Sequence, residues 1–140
     1  IGIYEYYENL YIHHFNNDNL EILQKVKKIN NLIARHEEII ANPILEYINK
    51  REDLKLIGKN KIQNKDRAPT ISFISKNKKS EDLSKIFKSN KIATRNDNFY
   101  AWRCLKALGI DVDDGVLRLS LVHYNNIEDV SRVLSALEQI

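Results

Sequence analysis

Hydrophobic positions along this chain change their period more than once, and each change marks an element. From residue 1 to residue 14, Ile3, Tyr7, Leu10 and His14 recur every three or four places, which predicts a short amphipathic helix. Asn16-Asn17-Asp18 forms a polar break with capping character. A long helix is predicted next, because Leu20, Leu23, Val26, Ile29, Ile33, Ile40, Ile44 and Ile48 are spaced by three, four or seven. Pro43 lies inside that pattern and predicts either a kink or a new helix capped by Asn42.

Past Glu52 the period falls to two. Leu54 and Leu56, followed by Gly58, read as a strand ending in a turn. Lys59 to Asp66 is a charged loop whose one apolar residue is Ile62. Residues 69–74 alternate, with Ile71 and Phe73 on one face of a strand. Ser80 is the expected N-cap of a helix running through Phe87. Ile92 to Arg95 is a short strand, and Tyr100 to Leu108 a helix closed by Gly109. From Gly115 to Val122, Val116, Arg118 and Ser120 alternate with Leu117, Leu119 and Leu121. Asn125 or Asn126 caps a last helix with Val130, Val133, Leu134 and Leu137 inward. This order predicts an α+β fold: a small, mainly antiparallel sheet with helices mostly on one face, preceded by a long helix. Residues 1–52 are the leading helices and 53–140 the sheet-and-helix unit of a single domain.

Composition narrows the functional classes. The chain has 140 residues, 43% hydrophobic and 29% charged, which is globular composition. A net charge of +3 is far from the concentrated basic surface of a dedicated nucleic-acid binder. One cysteine rules out a disulfide framework within the chain. No apolar run is long enough to span a bilayer. The first residue is Ile1 and methionine is absent, so a fragment or processed chain is expected, and no leader is visible, so cytoplasm is the expected location.

Few residues stand out chemically. Arg118 lies in a strand between leucines, where a guanidinium needs an anion, either a structural acid or a bound carboxylate. Arg95 opens a polar strand-to-helix turn through Asn98 to Tyr100, a place where backbone N–H groups favour anions. His123 follows the last strand, and His13, His14 and His36 lack partners at metal-ligand spacing. Lys59, Lys61, Lys65, Arg67, Lys76, Lys78 and Lys79 form a basic stretch without interleaved aromatics. Cys104, after Trp102 in an apolar helix, is expected to pack inertly in the core.

Three segments together resemble one family. Arg67-Ala-Pro-Thr-Ile-Ser-Phe73 resembles the R-x-P-T-x-S-F strand of class V aminotransferase-fold enzymes. Lys91-Ile-Ala-Thr-Arg95, then Asn98-Phe-Tyr-Ala101, resembles their G-I-x-x-R-x-G-H-x-x-A segment. Gly115-Val-Leu-Arg118-Leu-Ser-Leu-Val-His-Tyr-Asn125, then Ile127-Glu-Asp-Val130, resembles the G-x-x-R-x-S-x-x-x-Y-N-T-x-E-E-V signature. These are the last elements of the cysteine desulfurase and selenocysteine lyase branch, matched in order over residues 54–140. The chain departs from the pattern at Lys91 for glycine, at Asp97 and Asn98 for glycine and histidine, and at Asn126 for threonine. Tyr100 stands where one desulfurase branch has its nucleophilic cysteine.

The resemblance implies the C-terminal small domain of a fold-type I enzyme that uses pyridoxal phosphate. It implies that Arg118 binds the substrate α-carboxylate, with Arg95, Asn98 and Tyr100 as further substrate-binding residues. The Schiff-base lysine and phosphate site would lie in a missing large domain of the same chain. The fragment alone is then expected to bind no cofactor and to have no activity. An amino-acid substrate and a homodimer of the intact enzyme are the expected partners, with neither nucleic acid nor membrane. The competing reading is a stand-alone α/β binding module that takes nucleic acid through its basic loop.

Overall fold

The computed structural model describes residues 2–15, 20–63 and 65–140, so the polar break at 16–18 lies outside the described residues. Among these, five helices and four strands follow in the order α1 (Gly2–His14), α2 (Ile22–Lys50), β1 (Leu54–Ile57), β2 (Thr70–Ser75), α3 (Ser80–Ser89), β3 (Arg95–Asp97), α4 (Trp102–Ala107), β4 (Val116–Ser120) and α5 (Ile127–Leu137). The sheet order is β1-β2-β4-β3 and every pairing is antiparallel. The fold is therefore α+β, as the periodicities predict.

Alternation along the strands gives the sheet two unlike faces. Leu54, Ile71, Phe73, Leu117 and Leu119 point to one side. They pack against Ile40, Ile44, Leu45 and Ile48 of α2, Leu83 and Phe87 of α3, and Val130, Val133 and Leu137 of α5. Phe73 meets Phe87 edge-on at 6.4 Å between ring centroids. The opposite face carries a smaller cluster of Leu105, Ile110 and Val116, with Ile57, Ile74 and Phe99 against it. That face is covered only in part, by α4 and the loops on either side of it. No helix of the described residues is long and apolar enough to cross a membrane.

Polar clamps join the layers. Arg51 grips Asp53 with two bonds, of 2.7 and 2.6 Å, and donates to the carbonyl of Leu137 at 3.1 Å, tying the end of α2 to β1 and α5. α5 starts with a capping box. Asn126 Oδ1 accepts the Asp129 N–H at 3.0 Å, and Asp129 Oδ2 accepts the Asn126 N–H at 3.1 Å. A bond from the Asn125 amide, then the Asn126 backbone and Arg132, hold the Asp129 carboxyl below the usual carboxylate range. A depressed folded value means this contribution is complete above the unfolded value near pH 4 and is lost as pH falls through the folded value. Asp129→Ala is thus expected to cost about 1 kcal/mol at neutral pH, with the difference from the parent shrinking below about pH 4. Urea midpoints of both proteins across pH check this.

The elements differ from the sequence reading in identifiable ways. Helix α2 runs unbroken through Pro43, and Asn42 caps nothing. Its amide instead clasps Ile62, donating to the carbonyl at 3.1 Å and accepting from the N–H at 2.8 Å, which pins the charged loop to the helix. Glu21 and Gln24 form the capping box of α2. Ile3 and Leu23 are 80% and 79% exposed, while Tyr11 carries the buried contact of α1, because α1 leans mainly on α2 along a narrow stripe, with Tyr6 reaching His123. Lys79, not Ser80, is the N-cap of α3. The Ser80 hydroxyl donates to the carbonyl of Asp114 at 2.5 Å, and its N–H to the Asp114 carboxylate at 2.9 Å. The third strand begins at Arg95 rather than Ile92. Lys91 takes a left-handed φ of 59° and the Ile92 N–H bonds back to Phe87, so residues 90–92 close off the helix before pairing starts at Arg95.

Candidate functional site

The half-covered face of the sheet holds the chemistry. Strand alternation puts Ser72, Arg118 and Arg95 there as direct cross-strand partners, Ser72 opposite Arg118 and Arg118 opposite Arg95. Arg118 is half-buried and Arg95 exposed. Two like charges facing each other across a ladder repel. Among the described residues neither guanidinium makes a hydrogen bond or ion pair. The structural acid that could have occupied Arg118 is therefore absent from the described residues. What remains is a pair of planar, permanently charged donors suited to a carboxylate.

The loop after β3 builds the rim. Asp97 Oδ1 accepts the Asn98 N–H at 2.7 Å, and Asn98 Oδ1 accepts the Tyr100 N–H at 3.0 Å. Asn98 Nδ2 reaches the Val112 carbonyl at 3.2 Å. These bonds hold Phe99 and Tyr100 in consecutive left-handed conformations, φ 53° and 60°, which are unfavourable for aromatic residues. Gly115 makes the loop possible. A Cβ there would lie 2.3 Å from the Asp97 carbonyl carbon and oxygen and 2.7 Å from Asn98 N. Phe99 is thereby laid against the guanidinium of Arg118, with the ring centroid 4.1 Å from Cζ, and 6.0 Å from that of Arg95.

The four residues singled out in the sequence thus separate. Arg118 and Arg95 come together. Asn98 spends both ends of its amide on the loop. Tyr100 is 98% exposed, its ring in solvent. Cys104 is exposed, contrary to the expected core packing, because the short α4 turns only Leu105 inward. His123 contacts the Tyr6 hydroxyl, and His36 bonds the Asn125 carbonyl at 2.7 Å. No metal-binding group occurs among the described residues. The basic loop is partly neutralised, with Lys59 on Asp66 at 2.8 Å. That contact lowers the Asp66 carboxyl, and burial lowers the Arg67 guanidinium. Sequence reasoning missed Phe99 and Gly115. The run Asp113-Asp114-Gly115 signals a turn, but no local pattern reveals which backbone the glycine admits.

Residues 17–133 match the family model described as aminotransferase class-V. The chain belongs to the class-V aminotransferase family. The aminotransferase-like protein FGM3 of Gibberella zeae is 31% identical over 110 residues, 77% of this chain and 27% of that protein. A probable cysteine desulfurase of Pseudomonas putida is 28% identical over 107 residues, covering 76% of this chain and 24% of that one. Among solved structures, the apo cysteine desulfurase of Thermococcus onnurineus superposes with a TM-score of 0.67 at 24% identity, covering 84% of this chain and 29% of that one. The class-V family assignment therefore holds for a region with the desulfurase-like fold. The chain spans about a quarter of the length of the relatives it matches.

Proposed function

We propose that this chain is the C-terminal small domain of a pyridoxal phosphate enzyme of the class-V family, and that it binds the α-carboxylate of an amino-acid substrate. The observation that carries this reading is the Arg118–Arg95 pair, aligned across β4 and β3 with no acceptor among the described residues. Arg118 is the main anchor. It is the more enclosed of the two, and its fork can hold a carboxylate by two parallel bonds. Arg95, nearer solvent, adds the second charge. Ser72, opposite Arg118, supplies a neutral donor on the same face. Asn98 supports the loop, and Tyr100 meets substrate only from the outer rim.

The described residues do not fit a site for the cofactor itself. No lysine is buried, and Arg118 and Arg95 face the open side of a sheet. Pyridoxal phosphate would be held by the remainder of the intact enzyme, where it supplies the electron-withdrawing chemistry at the substrate α-carbon. This chain's part is to bind and orient the amino acid by its carboxylate. A homodimer and a cytoplasmic setting belong to the same proposal.

Arg118→Lys keeps the charge and loses the fork. In the full-length enzyme it is expected to weaken amino-acid binding by about 1.5–3 kcal/mol, the range for hydrogen bonds to charged groups. Spectroscopic titration of the amino acid against parent and variant measures it, and equal dissociation constants would sink the assignment.

A further inference from the structure

We infer that Phe99 is a positioning residue for carboxylate recognition: its ring backs one flat face of the Arg118 guanidinium and turns the donor edge toward the ligand. This inference rests on the carboxylate-anchor reading of Arg118.

Three observations support it. The first is the contact itself. At 4.1 Å from centroid to Cζ, the ring lies within cation–π distance of Arg118, and the same ring lies 6.0 Å from Arg95. All five guanidinium N–H groups lie in the guanidinium plane. A ring against one face leaves those donors free, while it removes water and rotational freedom from that face. The second is how the ring is held. Phe99 adopts a left-handed φ of 53°, and Tyr100 repeats it at 60°. Left-handed backbone at a bulky residue persists only where the surroundings over-determine it. Here Asp97, both ends of the Asn98 amide and the close approach of Gly115 all do so.

The third is electrostatic. Two unpaired guanidiniums sit opposite each other in register and repel. An aromatic face offers partial compensation without consuming a hydrogen-bond donor, whereas an acidic partner would occupy the fork. The ring therefore keeps Arg118 oriented and its donors available, which reduces the ordering a carboxylate must impose on binding.

The test uses the 140-residue chain, NMR and sodium acetate as the probe, at constant ionic strength. Stacking predicts that the Arg118 Nε–H resonance of the parent is moved upfield by the ring current. In Phe99→Leu, which keeps bulk and loses the π face, that resonance is expected at the free-arginine position, with acetate affinity reduced about three- to fivefold. Phe99→Tyr is expected to restore both. A purely space-filling role predicts acetate affinity in Phe99→Leu equal to that of the parent, because leucine and tyrosine both fill the space.

Arg118→Gln separates the two claims, read on the backbone amides of residues 116–120. Acetate-dependent shifts that persist in Arg118→Gln overturn the anchor reading itself. Shifts lost in Arg118→Gln but unchanged in affinity in Phe99→Leu overturn only the role of Phe99. Should Phe99→Leu fail to fold, the parent spectrum decides: an Arg118 Nε–H at the free-arginine position overturns the inference, and an upfield resonance retained in Phe99→Tyr supports it.

Discussion

Phe73→Ala is expected to destabilise the domain by about 3–5 kcal/mol, the range for removing a fully buried phenylalanine. Phe73 has no solvent exposure, pairs across the sheet with Leu56 and Leu117, and meets Phe87 edge-on. It joins the middle of the sheet to α3. Alanine leaves a cavity beneath β2 that the neighbouring strands cannot close without losing their ladder. The functional consequence follows from the pleat. Phe73 faces the helices because Ser72 faces the other way, and Ser72 is opposite Arg118. A one-residue slip of β2 would turn its apolar side outward, so burial of Phe73 is what pins this register. Urea unfolding at equilibrium measures the loss. A change below about 1 kcal/mol would show that Phe73 is not the centre of the core.

Gly115→Ala has the next largest expected effect, and it falls directly on the site. A left-handed backbone at a residue with a Cβ costs about 1–2 kcal/mol, and forcing a methyl group into occupied space costs about 1–3 kcal/mol more. Gly115 has φ 72°, and the atoms a Cβ would meet belong to the Asp97–Asn98 backbone, not to a side chain that could swing away. The expected total is about 2–5 kcal/mol. The damage should concentrate in the loop, displacing Asn98 and with it Phe99 from Arg118. Amide hydrogen exchange tests this against a global loss. Residues 97–101 should lose protection beyond that of α2, and uniform loss across the chain would contradict a local role. Gly109, with φ 68° and nothing near its Cβ position, is the control for backbone conformation alone.

Much of the fold is legible in the residues themselves. The period-two stretches at Leu54–Leu56, Ile71–Phe73 and Val116–Leu121 each became a strand, because alternation buries one face whatever the partner. Ile40, Ile44 and Ile48 face the core for the corresponding helical reason. Asn126 caps α5 through a bond within four residues, so local sequence suffices to find it. Arg118 stood out because an ionised side chain among leucines demands an explanation.

Only the tertiary structure decided the rest. Strand β3 crosses to the far edge beside β4, and that pairing is what puts Arg95 opposite Arg118, 23 residues apart in the chain. Asn42 reads as a cap from its neighbours, but the Ile62 backbone 20 residues away takes its amide. Cys104 and Leu105 are adjacent and both apolar, yet the turn of a six-residue helix exposes one and buries the other. Phe99 carries no local sign of its contact with Arg118, since its ring is placed by Asn98 and Gly115 through long-range approach of two backbones. Periodicity and capping depend on residues a turn or a strand apart, so sequence determines them. The site depends on strand order and on which backbone meets a missing Cβ, and those exist only once the chain has closed on itself.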